Sequence, residues 1–175
     1  MNNPVEILVK EHVVIVSAIN LANQLQKIIV SEPKKFIDLA GKLIDFFRNY
    51  ADKYHHYKEE SFLFPRMCDE NQLLEGGIIK EMLNNHEEFR NSLRNIEKAL
   101  KIGELASVAE NFSIYCNSLL DHIAVENEEL FQIAETLLKE SELENIYFLF
   151  LDIDLELGES RKKEFENFAL ETTLT

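Results

Sequence analysis

Apolar side chains recur every three or four residues along most of the chain, which is the spacing of helices with one buried face. The pattern predicts four long helices, over about residues 4–30, 33–64, 79–102 and 105–139. Pro33 opens the second helix and Pro65 ends it, because proline has no backbone N–H with which to continue a helix. Gly76-Gly77 and Gly103 bound the third helix.

A C-terminal helical extension is predicted beyond these four helices. Ser141 to Glu144 reads as a capping box, so a fifth helix is expected through Leu155. Gly158 interrupts it, and residues 161–170 form a short last helix. Since every predicted element is a helix, we predict an all-α fold. Short connections favour antiparallel neighbours, which sets the order of the helices. The fold consists of an up-down-up-down four-helix bundle over residues 1–140, with an extension of one or two helices, 141–175, packed on the same domain.

Composition fits one helical domain and excludes several classes of partner. The chain has 175 residues, 46% of them hydrophobic, with only 5 glycines and 3 prolines. A formal net charge of −14 excludes nucleic acid and anionic membranes, since phosphate groups need clustered Lys and Arg. The N-terminus lacks the layout of a signal peptide, and the longest apolar run, 146–151, is too short to span a bilayer. Cys68 and Cys116 lack CxxC spacing, so reduced thiols and a cytoplasmic location are expected.

Histidine and glutamate occur one helical turn apart at two places. His55 and Glu59 interrupt the apolar stripe of the second helix, and His122 and Glu126 interrupt that of the fourth. Taken alone, an HxxxE pair is as readily a hydrogen-bonded pair on a helix surface. Two copies on apolar stripes favour a buried site with a function.

The stripe next to His55 has a different character. It carries polar side chains throughout, at Asp45, Asn49, Asp52, His56 and Glu60. We therefore assign His56 and Glu60 to the solvated face of the second helix, although the two histidines are adjacent in the chain.

Two more histidines, His12 and His86, interrupt the apolar stripes of the first and third helices. In an up-down-up-down bundle, the turns near Pro33 and Gly103 lie at the same end. Each of the four inward histidines lies between about 17 and 22 residues from one of these turns. At about 1.5 Å per residue their depths agree within roughly 8 Å. The sequence thus predicts that four imidazoles meet in one layer of the core.

The chemistry of this layer follows from its donors. Buried carboxylates are costly unless they are paired or bind metal, so Glu59 and Glu126 favour a pair of cations. Four imidazoles with two carboxylates suit iron or manganese above zinc. Such ions keep positions for water, dioxygen or another small ligand.

With these residues in view, the chain resembles the hemerythrin-like HHE cation-binding family. The resemblance covers nearly the whole chain. It is carried by Glu11-His12, by HHYKEESFLFP at 55–65, by Gly76-Gly77 through His86-Glu87, and by HIAVENEELF at 122–131. The resemblance implies a non-haem di-iron site. Its ligands would be His12, His55, Glu59, His86, His122 and Glu126.

Two departures separate this chain from the oxygen-carrying members of that family. Those have an HxxxH pair on the third helix, but Arg90 is the residue four after His86. They also end in HxxxxD, whereas Asn127 is five after His122 and Glu126 is at four. Because this chain has fewer histidine ligands than the oxygen carriers, simple oxygen transport is disfavoured.

A ferritin-like site is also disfavoured. Such proteins use Glu-x-x-His on two helices. The residues three before the four inward histidines are Val9, Asp52, Leu83 and Leu119. None of these is glutamate.

Three functions are consistent with this reading. The first is binding or sensing of O2 or NO, or handling of iron under oxidative or nitrosative stress, with a redox or signalling partner that the sequence does not identify. The second is a di-iron redox enzyme: an oxidase, peroxidase or NO reductase. In the third, a metal such as zinc only stiffens the bundle.

Overall fold

The computed structural model describes residues 3–174, and the outermost positions of the two predicted ranges, 1–2 and 175, lie outside the described residues. The described chain is about 90% helical and forms no strand. The α-helices are α1 (Pro4–Gln24), α2 (Pro33–Phe46), α3 (Phe64–Glu70), α4 (Ile78–Lys101), α5 (Leu105–Val125), α6 (Phe131–Leu137), α7 (Glu140–Leu157) and α8 (Glu159–Glu171). Three π-helical segments lie between them, at Phe47–His56, Glu59–Leu63 and Glu126–Leu130, and short 3₁₀ turns at Leu25–Ile28 and Gln72–Leu74.

The predicted all-α bundle is confirmed, with the four long helices as its walls. The second wall runs without a loop from α2 through two π segments into α3, and the fourth runs from α5 through a π segment into α6. α1 packs on α2 and α5, while α4 packs on α2 and α5, which closes the ring of four.

Helix ends follow local chemistry. The Asn3 side chain accepts a hydrogen bond of 3.0 Å from the Val5 N–H, and Pro4 occupies the first turn of α1. Gly103 and Gly158 have φ of 78° and 83°, a conformation that suits glycine. The capping box predicted at Ser141 is wrong by two residues. The chain turns into α7 at Lys139, whose backbone N–H donates to the Glu142 carboxylate at 2.8 Å.

Two apolar clusters fill the interior, one toward each end of the bundle. The first contains side chains such as Ile15, Phe47, Phe112 and Leu119. The second contains Leu8, Leu63, Met82, Leu130 and Phe131. The histidine-bearing stretches of all four walls lie between these clusters, so a polar layer separates two apolar ones.

The expectation that Pro65 ends the second helix is wrong, because helix continues to Glu70. The Phe64 N–H bonds to the carbonyl of Glu59, five residues back, which completes a π turn. α3 then starts at Phe64, so Pro65 falls in a first turn, where a missing N–H costs little.

The expectation that His56 faces solvent is also wrong, because its side chain is buried. The π-helical segment Phe47–His56 has one residue more per turn than an α-helix, which shifts the direction of the side chains along it. That shift rotates both His55 and His56 toward the interior. Glu60 is only partly buried, and its carboxylate also points toward the histidine layer.

The C-terminal helices pack against the bundle. α7 and α8 both contact α1, and α7 also contacts the two π segments of the second wall. Phe150 of α7 belongs to one apolar cluster and Phe165 of α8 to the other. The division of the chain at residue 140 stays a prediction. Within residues 3–174 no helix combines the length and apolar character needed to cross a membrane.

Candidate metal centre

The structure brings all six predicted ligands into the buried polar layer of the bundle. His12 comes from α1, His55 and Glu59 from the second wall, and His86 from α4. The remaining two, His122 and Glu126, come from the end of α5 and the π segment after it. Each of the six is at most 2% exposed to solvent.

The four imidazoles form two pairs. Nε2 of His12 lies 2.9 Å from Nε2 of His55, and Nε2 of His86 lies 3.1 Å from Nε2 of His122. Nitrogens bonded to one ion at about 2.1 Å and at right angles are about 3.0 Å apart, whereas a tetrahedral ion would set them about 3.4 Å apart. Both pairs are therefore close enough for the two nitrogens of each pair to bind one ion.

Each glutamate reaches both pairs. Glu126 has Oε2 3.3 Å from Nε2 of His12 and Oε1 3.1 Å from Nε2 of His122. Glu59 has Oε1 3.5 Å from Nε2 of His55 and Oε2 3.7 Å from Nε2 of His86. Such carboxylates can bridge two cations, one at each pair of imidazoles.

The outward ring nitrogens of three of these histidines contact polar side chains. Nδ1 of His55 lies 2.8 Å from Glu11 Oε2, and Nδ1 of His86 lies 2.7 Å from Glu60 Oε1. Nδ1 of His12 lies 2.8 Å from Asn127 Oδ1. Because carboxylate and carbonyl oxygens only accept, each Nδ1 carries the proton, and each Nε2 lone pair faces inward.

This arrangement is costly without a cation. All four oxygens of Glu59 and Glu126 are buried with no hydrogen-bond partner. Burial, together with the charges of Glu126 and Glu11, holds the pKa of Glu59 well above its usual range. Burial also lowers the pKa of His55 to about 3, so its ring is neutral, as a metal ligand requires. The residues present therefore fit a pair of metal ions.

The donors divide into two groups that could each hold one ion. His12, His55, Glu59 and Glu126 form one, and His56, His86 and His122 form the other. Within each group the donor atoms lie within 4.8 Å of one another. His56 is the member that the hydrophobic pattern had assigned to solvent.

A buried charged network behind His55 was also missed. Lys58 is fully buried, and its Nζ donates to Glu11 Oε1 at 2.6 Å and to Asp154 Oδ1 at 2.8 Å. The Tyr54 hydroxyl donates to the same Asp154 oxygen at 2.6 Å, and Lys162 donates to the other oxygen. Lys58 comes three residues after His55, so the sequence alone could predict that both lie on the same side of the helix. It could not predict the partners of Lys58, which are 47 and 96 residues away in the chain.

The family model described as the hemerythrin HHE cation binding domain matches residues 3–134. No curated protein and no solved structure matches the chain. With its buried imidazoles and carboxylates on four helices and this match over most of its length, the chain belongs to the hemerythrin HHE cation-binding family.

Proposed function

We propose that this protein holds two iron ions inside the bundle and uses them to bind or sense a small diatomic molecule, O2 or NO. Six residues are assigned as ligands: His12, His55, Glu59, His86, His122 and Glu126. One observation carries the proposal. Two imidazole pairs are joined by two carboxylates whose oxygens have no other partner.

The donor set supports iron above other metals. Imidazole with carboxylate suits first-row ions, and an octahedral ion such as iron would keep positions open for a small ligand. Zinc in purely structural sites is tetrahedral, so the structural-metal reading has less support. Manganese shares the octahedral preference and stays an alternative ion.

The surroundings suit a small, uncharged ligand. Phe131 stacks on His12 with ring centroids 5.5 Å apart, and Phe64 stacks on His86 at 6.1 Å. These rings limit the water that reaches the centre. A cleft of about 230 Å³ between α4 and α5 ends on His122 and offers a path from the surface. Bound iron would supply positions at which O2 or NO can coordinate.

A di-iron redox enzyme is the second candidate, and the buried network behind His55 favours it. Glu11, Lys58 and Asp154 are linked by hydrogen bonds from the metal layer to the partly exposed Lys162. Reductive chemistry on O2 or NO consumes protons, and such a chain of titratable groups could deliver them. Handling of iron during oxidative or nitrosative stress would use the same centre.

The test begins with purification without oxygen, followed by measurement of metal per chain. The reduced protein is then mixed with O2 or NO and followed by absorption spectroscopy. Two iron ions and a stable, reversible spectral change support binding or sensing. Turnover with an added reductant supports the enzyme, and two bound ions with no response to either gas contradict both.

A matched pair of double variants tests the ligand assignment. Glu59→Gln with Glu126→Gln removes both bridging carboxylates and should abolish binding of two ions. Glu128→Gln with Glu129→Gln removes the same charge from exposed positions in the same π segment and should bind like the wild type. Equal metal content in the two variants would contradict the assignment.

A further inference from the structure

Helix α7 carries apolar side chains on its outer face as well as on its inner face. Ile146 and Phe150 are buried against the bundle. Phe148, Leu151 and Leu155 follow one another at steps of three and four on the opposite side, and they are 52%, 36% and 79% exposed. We call these three side chains the outer stripe. A helix that is apolar on both faces is typical of a buried position, so the outer stripe has the character of a surface that another molecule covers.

The outer stripe differs from other strongly exposed apolar side chains of the protein. Val30, Leu73 and Ile102 each lie singly in a turn between two long helices. Single residues of that kind are ordinary on protein surfaces, whereas adjacent ones mark interaction surfaces. Leu149, 40% exposed, widens the patch on α7. A groove of about 340 Å³ lies between the C-terminal end of α7 and Tyr57 of the second wall, and it could receive further side chains of a partner.

The charge around the outer stripe is negative. Exposed carboxylates border it at Glu144, Asp152 and Glu156, and the sequence of α7 contains no lysine or arginine. One cation, Lys53 of the second wall, lines the groove near Glu156. The whole chain has a formal net charge of −14. Like charges therefore disfavour a second copy of this chain or an anionic membrane on this face, and opposite charges favour a basic partner.

We propose that the outer stripe of α7 binds an amphipathic helix of a partner protein, in which an apolar stripe is flanked by lysine and arginine. Steps of three and four residues let two helices align their stripes over two turns. The carboxylates that border the stripe on α7 then face the basic flanks of the partner. A second copy of this chain would match the apolar spacing but not the charge. The inference goes beyond the proposed two-ion centre and does not depend on it.

The surface lies outside the part of the chain that matches the family. The family model ends at residue 134, and α7 begins at Glu140. α7 is nevertheless tied to the buried polar layer, because its Asp154 accepts a hydrogen bond from Lys58, which also donates to Glu11 behind His55. A partner on the outer face of α7 is thus attached to the helix that carries one end of this network.

Synthetic peptides test the occupant. The probe is a helix-forming peptide as long as the 18-residue α7, with leucine along one face and lysine on the others. A matched peptide has glutamate in place of lysine. The isotope-labelled full chain is titrated with each peptide at physiological salt and followed by NMR. We expect saturable shifts of the amide signals of α7 with the lysine peptide, and at least about 10-fold weaker binding of the glutamate peptide because its charges are repelled.

Two double variants locate the contact. Phe148→Ser with Leu155→Ser should lower the affinity for the lysine peptide by at least about 10-fold, because burial of such side chains contributes that much to binding. Val13→Ser with Ile114→Ser removes two side chains that are each 59% exposed on other helices, and it should bind like the wild type. Leu155→Lys changes the most exposed position of the stripe, so it should keep the fold and still weaken binding, which guards against misfolding of the double variant.

Three results would overturn the inference: no binding of the lysine peptide, equal affinity for the two peptides, or equal weakening in the two double variants. Sedimentation of the wild type alone tests the competing occupant. A dimer that Phe148→Ser with Leu155→Ser converts to a monomer would mean that a second copy covers the stripe, and it would overturn the inference as well. None of these measurements follows metal content or the response to O2 or NO, so their failure is distinguishable from failure of the proposed function.

Discussion

Glu59 and Glu126 each bury a carboxylate at the centre of the bundle, and no hydrogen-bond donor is directed at their oxygens. Burial of an unpaired charge works against folding, and hydrophobic side chains of the same size would pack more favourably. Burial raises the pKa of Glu126, but His122 and His12 outweigh burial and hold that pKa well below its usual range. The cost to the metal-free protein therefore falls on Glu59, while both carboxylates offer oxygens to cations.

Glu59→Gln should stabilise the metal-free protein while it weakens metal binding. Burial and the Glu126 charge raise the pKa of Glu59, so the folded chain holds a proton that the unfolded chain releases above about pH 4.5. Stability of the wild type therefore falls as the pH rises above that value, and glutamine removes the effect. We expect a gain of roughly 1–3 kcal/mol at pH 7, or about 2–4 °C in Tm for each kcal/mol.

Thermal unfolding of both proteins after chelator treatment, at pH 5 and at pH 7.5, measures this gain. The difference in Tm should widen at the higher pH. A metal-free variant that melts at or below the wild-type temperature at both pH values contradicts the prediction.

Glu11→Gln should weaken metal binding without removing a ligand. Glu11 accepts from Nδ1 of His55 and from Lys58, so it orients the ring and holds its inward lone pair. Partners of this kind are worth about 10–100-fold in metal affinity. Competition with a chelator measures the loss, and Glu6→Gln, exposed on the same helix, is the control. Indistinguishable affinities for the two variants count against the orienting role.

At the scale of elements, the three π-helical segments determine the site. They lie immediately around the two HxxxE pairs, and π turns are frequent at functional sites. Periodicity located the four walls and the stripes that carry His12, His55, His86 and His122. It could not detect a turn with one extra residue, since a count in steps of 3.6 assumes an unbroken α-helix. His56 and Pro65 were misassigned for this single reason.

Hydrogen exchange should reveal how metal supports these segments. π turns are rare in proteins, and here their side chains converge on the proposed ions. Removal of metal should speed amide exchange in Phe47–Leu63 and in Glu126–Leu130. Peptides from the first half of α5, which lacks proposed ligands, should exchange at nearly the same rate in both states. A uniform change along the chain would argue against local support by the metal.

At the scale of the whole molecule, the C-terminal helices are linked by hydrogen bonds to the buried polar layer of the bundle. The matching family region ends at residue 134, yet Asp154 of α7 and Lys162 of α8 belong to the network that reaches His55. The sequence indicated helices here from their apolar spacing. It could not indicate this contact, because a buried lysine paired with a carboxylate 96 residues away leaves no local pattern.

Asp154→Asn should destabilise the protein through Lys58. The variant keeps the shape of the side chain but removes the charge that the buried ammonium shares with Glu11. Breaking a buried ion pair costs about 3–5 kcal/mol. Since Asp154 is partly exposed and Lys58 retains one partner, we expect roughly 1–3 kcal/mol after discounting for solvent screening. Asp152→Asn, exposed on the same helix, removes an equal charge and should unfold like the wild type.

The pH dependence of this loss separates the ion pair from a general change in packing. Burial raises the pKa of Asp154, but hydrogen bonds from Lys162, Lys58 and Tyr54 outweigh it and hold the pKa below its usual 3.8. The stabilisation is therefore present in full above that value and is lost only as the pH falls through the depressed pKa. Urea unfolding of the metal-free proteins should give a constant difference in free energy of unfolding between the wild type and Asp154→Asn from pH 5 to pH 8. This difference should narrow on further acidification. If this difference in free energy already shrinks between pH 8 and pH 5, the ion pair of Asp154 with Lys58 is not what stabilises the protein.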